Sequence, residues 1–522
     1  MTSHEERGPR TRRLLALQYS AWLWLACDID NRNVSPGDGI SSTDDGGSRL
    51  GGDSEDGGGD TGEAEPGAER PENTGGAPGL DDAGSEAGTE ATSGGALVWV
   101  HHVADAFING LTFDATEAGD LVAAGSFYSN VLLGNEAFST AGGSDGYLMR
   151  LAKSDGAVIR AMKFGASGDE GPLGIVGAPD GSFATQGYYT SVPNFGGGDH
   201  TESVLGGLFV TVHEPDFSLR WAKSIDSGSF GLTGNALDVN SNGSPMIAGS
   251  FQNPIDLGAT PLTSVGQSDG IFARFRASDG VVEQFVQLGT SGAESGTAAH
   301  YLLGNNVIAG TFDTTLALGA EPELTARGGK DIFIASFTNA GTYQWRIGIG
   351  GELDDGSVYL AHDRAGDVYV LGAFQQTLQI GAFSLETHGG SDIFMARLSP
   401  TGIVEWASAF GGGGNDVPRG IAVSPLGAVS ISGEFAGEID FGGGNRPSQG
   451  DFDAFVASFG SDGAYRWDHT YGGALTDRGL GVIVDEDGSV YTNIEFLGAV
   501  DFGQGLLDAG DTYDCVVLRY EP

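Results

Sequence analysis

A short segment ending in Gly-x-aromatic recurs along this chain as Gly125-Ser-Phe127, Gly187-Tyr-Tyr189, Gly249-Ser-Phe251, Gly310-Thr-Phe312, Gly372-Ala-Phe374 and Gly433-Glu-Phe435, with a worn seventh copy at Ile494-Glu-Phe496. The interval is 61 or 62 residues each time. A period of this length marks a repeat architecture, in which each unit is one supersecondary module that buries its apolar faces only against its neighbours.

Within a unit the apolar residues alternate at the period of a strand. In the fifth unit, residues 357–361, 367–374, 392–398 and 403–410 read as four strands, with tight turns at Arg364-Ala-Gly366 and Pro400-Thr-Gly402. The first of these turns carries Gly119, Gly181, Gly243, Gly304, Gly366, Gly427 and Gly488 through the seven units, as a hairpin needing positive φ demands. Runs such as 378–381 and 383–385 add a short extra hairpin at the edge of the unit. Four antiparallel strands repeated radially predict an all-β, seven-bladed β-propeller over residues 96–522, since radial repetition protects the sheet edges. An open β-solenoid is the alternative, and it needs shorter rungs.

Ring closure is also written in the chain. The seventh unit stops at Pro522 after three strands, while the repeat region opens on Leu97-Val-Trp99-Val-His101, a fourth strand with no unit before it. The missing strand of the last blade is therefore expected from the start of the domain.

The segment ahead of the repeats is of another kind. Residues 28–95 hold no aromatic residue, and Ile29, Val34, Ile40, Leu50 and Leu80 are their only aliphatic side chains larger than Ala; 17 acidic stand against 3 basic residues. Such a stretch cannot bury enough surface to offset its ordering entropy, so a disordered, extended acidic linker is expected. Residues 1–27 read as an export signal: Arg7, Arg10, Arg12 and Arg13 precede an apolar run, residues 14–26, that is too short to span a bilayer. After residue 95 the chain carries 51 acidic and 18 basic residues within a formal total of -45, and repulsion from phosphate excludes nucleic acid as a partner.

Two sets of residues carry resemblances. Leu23-Trp-Leu-Ala26-Cys27 resembles the lipobox of bacterial lipoproteins, which implies lipidation of Cys27, a membrane anchor through it, and an outer-membrane or cell-surface location, with a periplasmic or secreted protein as the alternative. With Cys27 lipidated, Cys515 has no intramolecular partner. The hairpins from Ala396 to Trp406, Ala457 to Trp467 and Ala335 to Trp345 resemble the tryptophan docking motif of quinoprotein-type propellers, except that Leu398, Phe459 and Phe337 replace its acidic residue. The whole run of Gly-Gly, Asp-x-Phe, Gly-x-x-x-Trp and Gly-x-Phe is similar to the SBBP repeats of bacterial secreted and surface proteins. That resemblance implies architecture and is nearly silent on activity.

Recurring side chains divide into packing and site candidates. Trp99, Trp221, Trp345, Trp406 and Trp467 hold one fixed place per unit and read as wedges between blades. Asp145, Asp269, Asp331, Asp392, Asp453 and Asp514, with Gly207 in the second unit, open the third strand and read as turn-fixing acceptors. A second acidic series, Glu170, Glu294, Asp355, Asp416 and Asp477, falls in the loops between units and is expected to form a negative rim on one face; these are the candidate calcium ligands, although no Asp-x-Asp-x-Asp-Gly loop occurs. No other cofactor is implied. The histidines, among them His101, His102, His200, His213, His300, His362, His388 and His469, read as scattered. No nucleophile elbow or phosphate loop appears, so no catalytic residue is assigned and a non-enzymatic protein is expected.

The resulting expectation is an exported, monomeric binding or scaffold protein of the cell envelope that engages a protein or glycan on a loop-lined face. The alternatives are a carbohydrate-binding surface protein, with Tyr188 and Tyr189 as rim aromatics, and a propeller enzyme of unrecognised type. The second unit, with its insertion at residues 193–205, is the least regular.

Overall fold

In the computed structural model the described residues are 94–116, 119–197, 206–226, 232–258, 261–319 and 321–522. Cys27 with its export segment, His200, part of the 193–205 insertion, and the acidic linker apart from residues 94 and 95 lie outside them.

Seven antiparallel four-stranded sheets account for the fold, and no helix occurs among the described residues. Blade 1 is built of Ala106–Phe113, Leu121–Phe127, Asp145–Leu151 and Val158–Phe164, and blade 2 of Glu170–Gly177, Phe183–Tyr189, Gly207–His213 and Leu219–Asp226. Blade 3 comprises Leu232–Val239, Pro245–Phe251, Asp269–Phe275 and Val282–Leu288; blade 4 comprises Glu294–Leu302, Asn305–Phe312, Asp331–Thr338 and Tyr343–Ile349. Blade 5 runs through Gly356–His362, Val368–Ile380, Phe383–Leu398 and Val404–Phe410, and blade 6 through Asp416–Val423, Val429–Phe435, Asp453–Phe459 and Tyr465–Tyr471. Blade 7 joins Arg478–Val484, Val490–Phe496 and Asp514–Tyr520 to Leu97–Val103, which arrives from the other end of the domain. Each first strand touches the first strands of both neighbouring blades all the way round, so these strands surround the axis. The fold is a closed seven-bladed β-propeller.

The closing strand is held in register, with Trp99 opposite Arg519 and His102 opposite Val516. Gly95 N–H donates to Glu521 O at 3.0 Å and Glu521 N–H to Ala96 O at 2.9 Å, which extends the pairing beyond the strand itself.

The Gly-x-aromatic step has a steric cause. A Cβ at Gly125 would lie 1.9 Å from the carbonyl oxygen of Phe107 and 2.5 Å from the Tyr147 hydroxyl; Gly187, Gly310 and Gly433 face a first-strand carbonyl and a third-strand aromatic ring in the same way. The aromatic residue that follows points into the core: Phe127, Phe251, Phe374, Phe435 and Phe496 are fully buried. All seven first-turn glycines hold positive φ. Among the described residues the apolar core is divided into seven clusters, each shared by two adjacent blades, such as Tyr369 of blade 5 with Phe435, Phe455 and Phe459 of blade 6. Stability therefore resides between units, as repeat architectures require.

The edge hairpin forms a separate two-stranded sheet in blades 1, 3, 4, 6 and 7. In blade 5 it is continuous with the second and third strands.

Candidate functional site

First and third strands of a blade run in the same direction, so both acidic series reach the same end of the ring, where the blade-linking loops lie. Across each of five interfaces a third-strand acid stands near the first-strand acid of the next blade: Asp145 and Glu170, Asp269 and Glu294, Asp331 and Asp355, Asp392 and Asp416, Asp453 and Asp477. Both members accept the backbone N–H four residues earlier. On the third strand, Ala141 N–H reaches Asp145 at 2.9 Å and His388 N–H reaches Asp392 at 2.9 Å; on the first, Gly351 N–H reaches Asp355 at 2.7 Å and Gly412 N–H reaches Asp416 at 3.0 Å. The glycine closing each fourth strand, at 165, 289, 350, 411 and 472, leaves room for the carboxylate, since a Cβ there would fall 2.0–2.5 Å from it.

The expected negative rim is corrected by this burial. Glu170, Glu294, Asp416 and Asp477 are 0% exposed and Asp355 is 1% exposed, because their oxygens turn inward to hold the linking loops. Burial pushes their acidities down: the pKa rises to about 7 for Glu170 and Asp355, to about 8 for Asp416 and to about 6 for Asp477. Among the described residues no three His, Cys, Asp or Glu side chains are grouped to hold a metal ion. At the closure Asp514 takes other partners, His102 Nε2 at 2.7 Å and Asp105 N–H at 2.9 Å.

At the outer edge Trp99, Trp221, Trp345 and Trp406 each lie on the turn between third and fourth strands of the next blade. Indole N–H groups of Trp99, Trp221, Trp345 and Trp406 donate to the carbonyls of Lys153, Ala277, Pro400 and Ser461 at 3.2, 2.8, 2.9 and 3.1 Å. The turn glycines Gly156, Gly280, Gly402 and Gly463 sit beneath these rings, and Gly95 beneath Trp467, all with positive φ. Two interfaces differ. Between blades 1 and 2, Arg160 lies 5.6 Å over the ring of Phe217, which holds a φ of 65° where the others have glycine. Between blades 3 and 4, Gln284 faces Gly341.

The axis itself is lined through an irregularity that pattern reading missed. Every first strand shifts register near its start, between Ile108 and Gly110, Pro172 and Gly174, Gly296 and Ala298, Pro418 and Gly420, and likewise in the other blades. A bulge re-aims the extra side chain. Asn109 Nδ2 thus donates to Pro172 O of the next blade at 2.7 Å, and Arg419 donates to Glu434 Oε1 at 2.6 Å. Arg478 continues that chain, 3.0 Å from both Glu434 and Glu495.

Beside the Arg478 and Glu495 end of this quartet, on the loop side of blades 7, 1 and 2, stand half-buried aromatic residues. Phe107 meets Tyr128 edge-on at 5.7 Å and Tyr513 at 6.3 Å, Arg478 lies 5.4 Å over Tyr513, and Tyr188 hydrogen-bonds Tyr128 and Ser144. Tyr188 belongs to this cluster. Tyr189 does not: it is 2% exposed, with its hydroxyl on Asp226 at 2.5 Å, which corrects its reading as a rim aromatic.

At the opposite end two of the histidines read as scattered, His300 and His362, come together with Asp238, which the sequence reading did not single out. His300 Nδ1 lies 3.4 Å from Asp238 Oδ2, His300 bonds the Leu360 carbonyl, and the His362 ring stands edge-on at 5.8 Å. Burial opposes a charged imidazole, but Asp238 and that carbonyl outweigh it and raise the His300 pKa above its ordinary value. The signal was present, since 238, 300 and 362 are spaced by the repeat period.

No family model and no curated protein sequence matches the chain. Among solved structures it is similar to the Dos1 propeller, at 8% identity and a TM-score of 0.39 over 82% of this chain and 94% of that one. It is also similar to the β-propeller domain of the trilobed protease from Pyrococcus furiosus, at 10% identity and a TM-score of 0.37 over 78% of this chain and 98% of that one. A third is quinohemoprotein alcohol dehydrogenase from Comamonas testosteroni, at 10% identity and a TM-score of 0.36 over 80% of this chain and 76% of that one.

Proposed function

We propose that this protein is an exported, lipid-anchored propeller that acts by binding, as a non-catalytic scaffold at the bacterial cell envelope, with the loop-side mouth of its axis as the contact surface. The observation that carries this reading is the cluster of Phe107, Tyr128, Tyr188 and Tyr513 beside Arg478, the middle of a chain of paired charges from Arg419 and Glu434 to Glu495. The four charges are paired among themselves, so covering them with a partner leaves none uncompensated. Tyrosine and arginine set in such a surface are the residues on which protein interfaces concentrate their energy. The address is read from the sequence of Leu23 to Cys27.

Cross-linking in intact cells followed by capture of the full chain tests it. A protein partner recovered with the native chain and lost with Tyr128→Ala plus Tyr513→Ala is the expected result; recovery unchanged by both substitutions sinks the assignment of the mouth. Cys27→Ala should move the protein out of the membrane fraction.

A further inference from the structure

We propose that the groove between blades 5 and 6 is a saccharide-binding site that takes a neutral, polyhydroxylated ligand. The groove is an open trough of about 670 Å³ between the outer strand of blade 5, the linking loop at residues 411–413, and the edge hairpin of blade 6. That volume suits one or two sugar rings. It is a different surface from the axis mouth, and the two assignments stand or fall separately.

Gly413 is the observation that points to an occupant. Its φ is not left-handed, and a Cβ added to it would meet nothing within 4 Å. Neither conformation nor packing asks for glycine, which raises the entropy lost on folding. In the four other linking loops of the same length the position holds Ser167, Ser291, Glu352 and Ala474. The missing side chain leaves the groove open at this interface.

The walls offer donors and acceptors side by side. Glu438 uses Oε2 to hold Asn445 at 3.0 Å, and Asp440 uses Oδ1 to hold Gly442 N–H at 2.7 Å and Gly444 N–H at 2.9 Å, so each carboxylate keeps a second oxygen available. His388 is anchored through its backbone N–H at 2.9 Å and Nδ1 at 3.4 Å to Asp392, which leaves Nε2 for the groove, and Ser408 adds a hydroxyl. Two carboxylates repel an anionic ligand. A hard divalent cation needs six or more oxygens, and no such group is assembled among the described residues. An organic cation would want an open aromatic face, but Phe410 and Phe441 on the floor are 7% and 2% exposed. A neutral polyol satisfies both kinds of wall: its hydroxyls donate to Glu438, Asp440 and the His388 Nε2, whose Nδ1–H is spent on Asp392, and accept from the Ser408 hydroxyl.

A glycan array of neutral and charged oligosaccharides, probed with the full chain, tests the proposal. The expected result is binding of at least one neutral glycan that falls at least tenfold in Gly413→Trp, with the melting temperature unchanged, and persists in Ser167→Trp. Glu438→Gln should weaken the same glycan several-fold, a readout that holds even if Gly413→Trp disturbs the fold. Signals from charged glycans only, no glycan signal, or a neutral-glycan signal untouched by both groove substitutions would overturn it.

Discussion

Between blades 4 and 5 an indole lies on a bare glycine, whereas between blades 1 and 2 a guanidinium lies on a phenylalanine. In the first, Trp345 donates to Pro400 O at 2.9 Å and a Cβ at Gly402 would strike the ring at 2.5 Å. In the second, Phe217 accepts a left-handed backbone, at a cost of roughly 1–2 kcal/mol, and fills the space under Arg160 itself. A large plate against a small turn residue has become a thinner plate against a large one. At the inner edge of the same two interfaces nothing has been traded: Asp331 and Asp355, Asp145 and Glu170 all take the N–H four residues back. The outer dock is satisfied by volume and flatness, which several residue pairs supply. The inner contact must satisfy backbone donors, which only a buried acceptor does.

The strongest way to break this comparison is to remove an interface. Deleting residues 96–104 takes away the fourth strand of blade 7 together with Trp99 and should lower the melting temperature by more than about 10 °C; an unchanged melting curve would contradict closure by this strand. Next, Gly402→Val puts a branched side chain at a φ of 81° under the indole and should cost about 3 kcal/mol in urea unfolding. Trp345→Ala should cost a similar amount, and the double variant less than the sum, by about 1–2 kcal/mol; strict additivity would mean that ring and turn do not act as a unit. Rebuilding the common dock at the exceptional interface, with Arg160→Trp and Phe217→Gly together, should stay within about 1 kcal/mol of the native chain.

The inner contact is read by pH. Glu170, Asp355 and Asp416 have native pKa values above their unfolded ones, so the native state holds more protons. The stability this contributes is full below about pH 4 and is lost as pH rises through about 7 to about 8. His300, raised by Asp238, acts in the same direction, while His101 and His213, lowered to about 4 by burial, oppose it only below their unfolded value of 6.5. From pH 6.5 to pH 8.5 the melting temperature should therefore fall, and Asp416→Asn should flatten that slope. A native-like slope in Asp416→Asn would remove this carboxyl from the account. Arg160→Ala, at about 1 kcal/mol, should be the smallest effect of the set.

The strand pattern, the turn glycines and the borrowed closing strand were legible because each depends on local periodicity or on counting units. The docks were legible as positions, though the exchange of Trp and Gly for Arg160 and Phe217 was not, since each half is ordinary alone. The acidic series was legible and its exposure was not: the same spacing fits a rim of open carboxylates and a set of buried acceptors. The convergence of Asp238, His300 and His362 and the first-strand bulges escaped for another reason. Those residues meet around the axis, one blade at a time, and a search for neighbours along one strand passes over them.

By itself the amino-acid order determined the number of units, the four strands in each and the way the ring is locked, because these follow from the side-chain alternation, the conformational freedom of glycine and the unit count. Only the tertiary structure decided which acids are buried, which aromatic rings gather at the mouth and which linking loop stands open. Those properties belong to the space between two blades, and no single repeat contains it.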